Sequence, residues 1–457
     1  MNIRKLRENW SDSTATYTIG GLWLLVYFLM MAGQWMGVFP YPGKEMTGEM
    51  GPLGIGAISE VTGQSFGAWS ASEILAGQIW RTILATFVHF GAIHIALNLF
   101  GMLQLGQLVE EWYGPKLTLA IIITIGFVGN GLAALARPVF GQPTPYLLEI
   151  TSGGGSTVVF GLIGLVAMVG KRSRSRMGRY LYNQMVGLLV FNFLIGMTIP
   201  QIDNYAHAGG AIAGAIIGRF HHTLLGWMDT RAKLCQRVLQ STVLILVACV
   251  ICQVRVYRIQ SEIREIQTRL TTLEKAFQAL NELRVGYVNR AILGLRTYQM
   301  IHQKPRLNLT WFQPMLIAMP DQIIEDNRIR LDSTIDQASA IFVDLNSPAL
   351  NPLWNEIRTE ARRAVSRPPH AREIQPMIDR ISQIDQVMIQ LSQHYIKQAN
   401  TVSDRLVFWQ MPWPGVVWRD GHPLPKALAD KNLPLNGVNS PNRSLPNGPT
   451  LLPNRPR

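Results

Sequence analysis

Long apolar stretches alternate with short polar and basic segments through the first half of the chain. A helix that spans a bilayer needs about 20 mostly apolar residues, and seven stretches approach that length. They lie near residues 18–37, 82–106, 115–136, 154–170, 184–201, 204–220 and 238–254. The pattern predicts an all-α membrane protein, with a six-helix bundle followed by a seventh, C-terminal transmembrane helix.

The pattern changes after the seventh stretch. Apolar residues from Val256 to Leu280 recur at alternating spacings of three and four, which is a heptad seam typical of coiled coils. Further amphipathic segments continue to about residue 400. They are interrupted by Pro305, Pro320, Pro348 and Pro368. The seam needs a partner helix, and two candidates stay open: a later helix near 370–397 of the same chain, or the same seam in a homodimer.

The charged residues indicate how the stretches are oriented. The formal net charge is +13, and basic residues cluster at the N-terminus, at 171–179 and at 219–237. If every stretch crosses once, these three clusters lie on one side, which is expected to be the cytoplasmic side. The N-terminus is then cytoplasmic and the C-terminus non-cytoplasmic. Clusters beside apolar runs suit a lipid bilayer as the partner, and no nucleic acid is expected.

A serine and three glycines open the fourth stretch. Gly153, Gly154 and Gly155 allow a sharp turn before Ser156, which places the serine at a helix N-terminus. Free N–H groups and the helix dipole favour negative charge there, as a serine nucleophile requires for its oxyanion. The alternative is that Ser156 only caps the helix.

A histidine precedes a stripe of small residues in the sixth stretch. His207 is followed by Gly210, Gly214 and Gly218, whose spacing lets another helix approach closely. His207 therefore belongs to a helix contact, where it can act on a neighbouring serine. The alternative is a histidine that only joins two helices by a hydrogen bond.

Two more polar side chains share one face of the second stretch. His94 and Asn98 lie one turn apart, and both can donate hydrogen bonds into a cavity. Together with Ser156 and His207 they supply a nucleophile, a base and oxyanion donors, the groups that acyl transfer needs. Their alternative role is to join helices by hydrogen bonds.

These motifs resemble those of the rhomboid family of intramembrane serine proteases. In chain order they are Trp80-Arg81, His89, His94-x-x-x-Asn98, Gly154-Gly155-Ser156-Thr157 and Ala206-His207-x-x-Gly210-x-x-x-Gly214. The resemblance covers about residues 15–220. It implies an intramembrane serine endopeptidase that cleaves transmembrane-segment substrates with a Ser-His dyad and an oxyanion hole, without a cofactor or metal.

The resemblance also implies individual roles. Ser156 is the nucleophile and His207 the base, while His94, Asn98 and the Ser156 N–H form the oxyanion hole. The Phe160 ring is expected to stack on the His207 ring. The family usually has glycine where Thr157 stands, so a side chain there is expected to narrow the oxyanion region. Asp203 is interpreted as a helix-start residue without a catalytic role.

Other functions are weaker interpretations of the same residues. A metal-dependent hydrolase using His89, His94 and His207 is disfavoured, because His-Glu-x-x-His is absent. An aspartyl protease needs two aspartates in the membrane, and only Asp203 lies near a stretch. The remaining alternative is a catalytically weak rhomboid-like protein that binds membrane clients or acts as their chaperone.

The predicted organisation has six segments. They are a cytoplasmic N-terminus at 1–17, a catalytic transmembrane domain at 18–222, a basic cytoplasmic linker at 223–237, the seventh transmembrane helix at 238–254, a non-cytoplasmic helical or coiled-coil domain at 255–400 and a Pro/Asn-rich disordered tail at 401–457. The domain at 255–400 is expected to present or filter substrates.

Overall fold

The chain forms two compact units, mostly of helices. The computed structural model describes residues 13–39, 56–141, 147–199, 202–302, 321–414, 416–419 and 422–426. The first unit contains Met1–Ile259 and the described residues from Asp404 onward, and the second contains Gln260–Ser403. In chain order the second unit is therefore an insertion into the first.

The first unit contains a bundle of long helices with short helices at one end. Its helices are α1 (Thr14–Trp35), α2 (Glu60–Phe66), α3 (Ala71–Leu75), α4 (Arg81–Leu84), α5 (Ala92–Phe140), α6 (Ser156–Arg172), α7 (Arg176–Thr198), α8 (Asn204–Arg219) and α9 (His221–Thr230). Helix α10 (Ala232–His302) begins in this unit and continues into the second. Gly114, with a φ of 65°, breaks α5 into two halves, which we call α5a and α5b.

Four helices in the described part of the chain are long and apolar enough to cross a membrane. They are α1, α5, α7 and the part of α10 that extends to Leu293. Helices α6 and α8 have 17 and 16 residues, and both pack inside the bundle.

Glycines allow α6 and α8 to approach each other at backbone distance. A β-carbon on Gly210 would overlap the carbonyl oxygen of Thr157, and one on Gly214 would overlap that of Gly161. A larger side chain at either position would force the two helices apart.

One predicted boundary in the first unit is wrong. The second stretch, predicted as a helix over 82–106, starts its long helix only at Ala92, after α4 and a 3-10 turn over Ala85–Phe87. Hydropathy reports apolar character and not backbone conformation, and Val88 and Gly91 are extended. Residues 223–237 are almost entirely helical, in α9 and the start of α10, and their role as a basic cytoplasmic linker stays a prediction.

The second unit is a helical bundle with its own core. It consists of the second part of α10 with α11 (Asp321–Leu345), α12 (Asn351–Ser366) and α13 (Ala371–Asp404). Its core contains Leu273, Leu280, Leu331, Ile335, Phe342, Trp354, Ile357, Ile381 and Ile384. Leu273 and Leu280 of the heptad seam thus pack against later helices of the same chain. The homodimer through this seam stays a prediction.

The prediction of disorder from residue 401 is wrong for its first part. Helix α13 continues to Asp404, residues 405–414 follow, and β1 (Val416–Arg419) pairs antiparallel with β2 (His422–Pro425). Local composition predicts disorder here, but these residues find hydrogen-bond partners on the first unit, far away in sequence. Residues 427–457 lie outside the described residues.

Candidate active site

The glycine loop before Ser156 is held by backbone hydrogen bonds to two distant segments. Trp69 N donates to Ser152 O (2.9 Å) and Ser152 N donates to Trp69 O (2.8 Å). Gly154 N donates to Ala85 O (2.8 Å). Gly154 has a φ of 146°, which side-chain-bearing residues rarely adopt. The loop is therefore fixed where it enters α6.

His89 accepts a hydrogen bond from the glycine loop. Gly155 N donates to His89 Nε2 (3.1 Å), so Nε2 accepts and the ring proton is on Nδ1, 3.3 Å from Phe87 O. The Trp23 ring of α1 lies 5.2 Å from the His89 ring, and a β-carbon on Gly155 would overlap Trp23. His89 is thus a neutral, fully buried support and does not reach out to a substrate.

Ser156 and His94 converge on Gly154. Ser156 is the first residue of α6 and is partly exposed. A β-carbon on Gly154 would lie 2.6 Å from His94 Nε2 and 3.5 Å from Ser156 Oγ. Phe90 N donates to His94 Nδ1 (3.5 Å), which leaves the proton on Nε2. His94 therefore presents a donor beside the serine.

His207 lies on the same side of the α6–α8 contact as Ser156. Its ring stacks on the Phe160 ring with 3.9 Å between centroids and 12° between planes. Phe160 follows Ser156 by one helical turn, so both side chains share a face of α6. His207 Nδ1 is buried without a hydrogen-bond partner among the described residues.

Asn98 brings a second donor to this region. It is 5% exposed, and its amide nitrogen has no hydrogen-bond partner among the described residues. A buried amide without a partner costs free energy unless a ligand satisfies it. Asn98 is one turn after His94, so the two side chains offer donors on one face of α5a.

Asp203 is engaged in structural hydrogen bonds. One carboxylate oxygen accepts from Ala206 N (3.1 Å) and caps α8. The other accepts from Ser152 Oγ (2.5 Å) and pairs with Arg137 (2.5 Å). The guanidinium of Arg137 also lies 4.3 Å above the Trp69 ring. Asp203 therefore ties the glycine loop to α8.

The Thr157 side chain does not have the orientation that the sequence suggested. Its hydroxyl donates to Asn130 Oδ1 (2.9 Å), and Asn130 Nδ2 donates to Thr82 O (2.7 Å). Its methyl group faces Gly129 and Gly210. Thr157 therefore fills the junction of α5b, α6 and α8. The expectation that it narrows the oxyanion region is wrong, because position 157 is turned about 100° from Ser156 around the helix.

Trp80 and Arg81 stabilise the segment before α5. The Arg81 guanidinium is fully buried and donates to Gln64 O (2.9 Å), Ala68 O (2.6 Å) and Gln78 Oε1 (2.7 Å). It also pairs with Glu73 at 3.0 Å.

Trp80 Nε1 donates to Gln253 Oε1 (3.1 Å) on α10. Trp80 thus connects this segment to the helix that follows the bundle.

Several of these partners could not be predicted from a motif in the sequence. The contacts of Asn130 with Thr157, of Arg137 with Asp203 and of Gln253 with Gln64 span 27 to 189 positions along the chain. Their one visible signal is a polar side chain within an apolar stretch. Within the described ranges, no group of three or more His, Cys, Asp or Glu side chains is arranged to hold a metal ion.

Comparison with known proteins identifies the domain that holds this site. The family model of the rhomboid domain matches residues 76–223. These residues belong to the rhomboid family. The rhomboid domain contains Trp80, Ser156, His207 and every other predicted site residue between them, as well as Gly210 and Gly214. With its apolar helices, it fits a multi-pass integral membrane protein.

Individual relatives match over part of this chain. Rhomboid protease GluP of Bacillus subtilis is 28% identical over 201 residues, covering 44% of this chain and 33% of that protein. Rhomboid-like protease 1 of Toxoplasma gondii is 31% identical over 163 residues, covering 34% and 52%. Inactive RHOMBOID-like protein 8 of Arabidopsis thaliana is 30% identical over 143 residues, covering 30% and 36%. The chain thus spans from a third to about half of these relatives' lengths.

Proposed function

We propose that the chain is an intramembrane serine endopeptidase in which Ser156 is the nucleophile and His207 is its base. The observation that carries this proposal is the stack of Phe160 on His207, one turn along α6 from Ser156. It holds an imidazole on the face of α6 where the serine hydroxyl begins the helix. The names of two similar proteins, from Bacillus subtilis and Toxoplasma gondii, call them proteases.

In the proposed reaction, His207 takes the Ser156 hydroxyl proton as the oxygen attacks the substrate carbonyl carbon. The carbonyl oxygen becomes an oxyanion, which accepts hydrogen bonds from His94 Nε2, Asn98 Nδ2 and the Ser156 N–H. His207 then gives its proton to the leaving amine. A water molecule, deprotonated by His207, releases the second product from the acyl-enzyme.

No carboxylate is required to orient the base in this scheme. Asp203 is engaged by Arg137, Ser152 and the α8 N-terminus. The Phe160 ring fixes the plane of His207 instead. The active unit is therefore a dyad.

In the proposed membrane layout, six helices of the bundle and one further helix cross the membrane. Helices α1, α5a, α5b, α6, α7 and α8 form the six, and the first part of α10 is the seventh. Residues beyond α13 hydrogen-bond to Leu75 and Ala76, in the same loop region that holds Ser156. This supports an odd number of crossings, and the basic clusters of the sequence favour a cytoplasmic N-terminus with a non-cytoplasmic C-terminus. The substrates are membrane proteins cut in or beside their transmembrane segments.

A binding or chaperone role for membrane clients is the second candidate. It is favoured by the similarity to a protein of Arabidopsis thaliana named as inactive. Retention of Ser156 and His207 favours the enzyme.

Cleavage in liposomes separates the two candidates. The purified full chain is mixed with a synthetic substrate that contains one transmembrane segment. Wild type and the control Ser173→Ala, at the far end of α6, should cleave it, and chelators should have no effect. Ser156→Ala should be inactive. Cleavage by Ser156→Ala at the wild-type rate contradicts the proposal, and substrate binding without cleavage by wild type favours the chaperone role.

A further inference from the structure

A segment that follows the second unit in the chain docks on the end of α3 and the loop between α3 and α4. We call residues 405–414 the return segment. Phe408 N and Trp409 N both donate to Ala76 O (2.8 and 3.4 Å), and Met411 N donates to Leu75 O (3.1 Å). The return segment thus satisfies carbonyl groups at the end of α3 that the helix itself leaves open.

Aromatic side chains extend this contact. The Phe408 ring meets the Trp80 ring edge-on at 5.1 Å. Trp409 covers Gly77, whose φ of 94° favours glycine and where a β-carbon would lie 2.8 Å from the indole. Trp413 Nε1 donates to Leu135 O (2.7 Å) on α5b. The return segment therefore connects the loop before α4 to the far half of α5.

One side chain links the return segment to the buried interior of the loop. Gln78 is 3% exposed, and its amide nitrogen donates to Leu406 O (3.2 Å). Its amide oxygen accepts from Arg81 Nε (2.7 Å). Gln78 therefore uses one end of its amide for the return segment and the other for Arg81.

The hydrogen bonds continue from Arg81 to the nucleophile. Arg81 donates to Ala68 O (2.6 Å), and the next residue, Trp69, pairs with Ser152 through two backbone hydrogen bonds. Ser152 opens the glycine loop that ends at Ser156. These contacts form a continuous chain from the return segment to the glycine loop, and each contact positions the next group.

We propose that the return segment is a positioning element for the catalytic loop, acting through Gln78 and Arg81. The proposal rests on the proposed protease function. Gln253 on α10 also contacts this loop, through hydrogen bonds with Trp80 and Gln64. The loop therefore binds two segments of the first unit, one before and one after the second unit in chain order. Deleting the return segment removes one of them and lets Ser156 depart from its attack geometry.

Cross-linking tests the docking without any need for activity. In a full-length chain with Cys235, Cys249 and Cys252 replaced by alanine, Ala76→Cys with Phe408→Cys should be joined by a short bis-maleimide. The control pair Ala76→Cys with Ser173→Cys should not react, because Ser173 follows a 17-residue helix of about 25 Å. Equal cross-linking of both pairs, or of neither, overturns the docked arrangement.

Kinetics in liposomes tests the positioning role. A chain ending at residue 404 lacks the return segment, and a chain ending at 426 is its matched control. Gln78→Glu keeps the acceptor for Arg81 and removes the donor to Leu406 O. The 404 chain and Gln78→Glu should lose about 10-fold or more in kcat with KM nearly unchanged, since a small misplacement of a nucleophile is costly. The 426 chain should match wild type.

The labelling rate of Ser156 by a fluorophosphonate should fall in parallel with kcat. Unchanged kcat in the 404 chain, or equal losses in both truncated chains, overturns the positioning role. If wild type neither cleaves nor reacts with the probe, the proposed function fails and the positioning role with it. The cross-link then decides by itself whether the segment is docked.

Discussion

The ring of Phe160 lies parallel to the ring of His207, with 3.9 Å between their centroids. The two residues come from α6 and α8, so the stack fixes an imidazole of one helix against the helix that begins with Ser156. In a triad, a carboxylate hydrogen-bonds to the histidine and holds its ring in place. Here the position of the His207 ring depends on its packing against Phe160.

Phe160→Ala should therefore reduce activity although it removes no group that takes part in the chemistry. We expect kcat to fall about 10- to 100-fold, because the His207 ring gains freedom to leave its position. Phe160→Tyr keeps the aromatic plane and should retain most of the activity. Steady-state cleavage in liposomes checks this, and equal rates for Phe160→Ala and wild type would remove the stack from the mechanism.

Two asparagines of the bundle should behave differently. The buried amide nitrogen of Asn98 has no partner in the part of the chain that the structure describes, so Asn98→Ala should reduce kcat by about 100- to 1,000-fold, the usual effect of losing one oxyanion donor. Its thermal stability should change little. Asn130 is hydrogen-bonded to Thr157 and Thr82, so Asn130→Ala should lower the melting temperature. An Asn98→Ala enzyme with the wild-type rate would assign Asn98 to structure.

The contact between α6 and α8 should not tolerate even one methyl group. A β-carbon on Gly214 would overlap the Gly161 carbonyl, so Gly214→Ala should lower both stability and kcat, and Gly210→Leu should inactivate. Gly187 in α7 is the matched control, because nothing lies within 4 Å of its β-carbon position. Gly187→Ala should be neutral or stabilise by about 0.5–1 kcal/mol. Thermal unfolding and cleavage rates measure both, and full activity in Gly214→Ala would contradict the packing.

The loop before α6 should make stability depend on pH. Burial raises the pKa of Glu149 to about 7; repulsion from Glu73 and Glu60 adds to the rise, and a hydrogen bond with Ser72 opposes it. An ordinary glutamate loses its proton near 4.5, so between about pH 4.5 and 7 only the folded state keeps it. The free energy of unfolding should therefore fall as pH rises through this range.

Glu149→Gln should remove this decrease and raise the melting temperature at pH 8. Glu274→Gln, an exposed position of the second unit, controls for the change in net charge. Melting temperatures at pH 5 and pH 8 decide the matter. A pH dependence that is the same in Glu149→Gln and wild type would assign it to other groups.

The sequence was most informative where the chemistry depends on short local patterns. The glycine run before Ser156, and the glycines one and two turns after His207, restrict the backbone at those positions. The sequence was least informative where a role depends on distant contacts. Two such contacts are the hydrogen bond from Gly155 to His89 and the one from Thr157 to Asn130. Both join residues that only the folded structure brings together.

The return segment shows the same limit at the level of organisation. A Pro- and Asn-rich sequence after residue 401 predicts disorder, because its local pattern has no periodic apolar face. Its first residues nevertheless form hydrogen bonds with Leu75, Ala76 and Gln78, more than 300 positions earlier in the chain. Composition alone cannot reveal such a partner.

Covalent labelling of Ser156 tests the central claim most directly. The full-length protein in liposomes is treated with a fluorophosphonate, and the rate and position of the adduct are measured by mass spectrometry. Wild type should form one adduct, on Ser156. His207→Ala should react far more slowly, and Ser156→Ala not at all. Combining both changes should lower cleavage no further than either alone, because nucleophile and base act as a unit. An adduct on another residue, or an unchanged labelling rate in His207→Ala, would contradict the dyad.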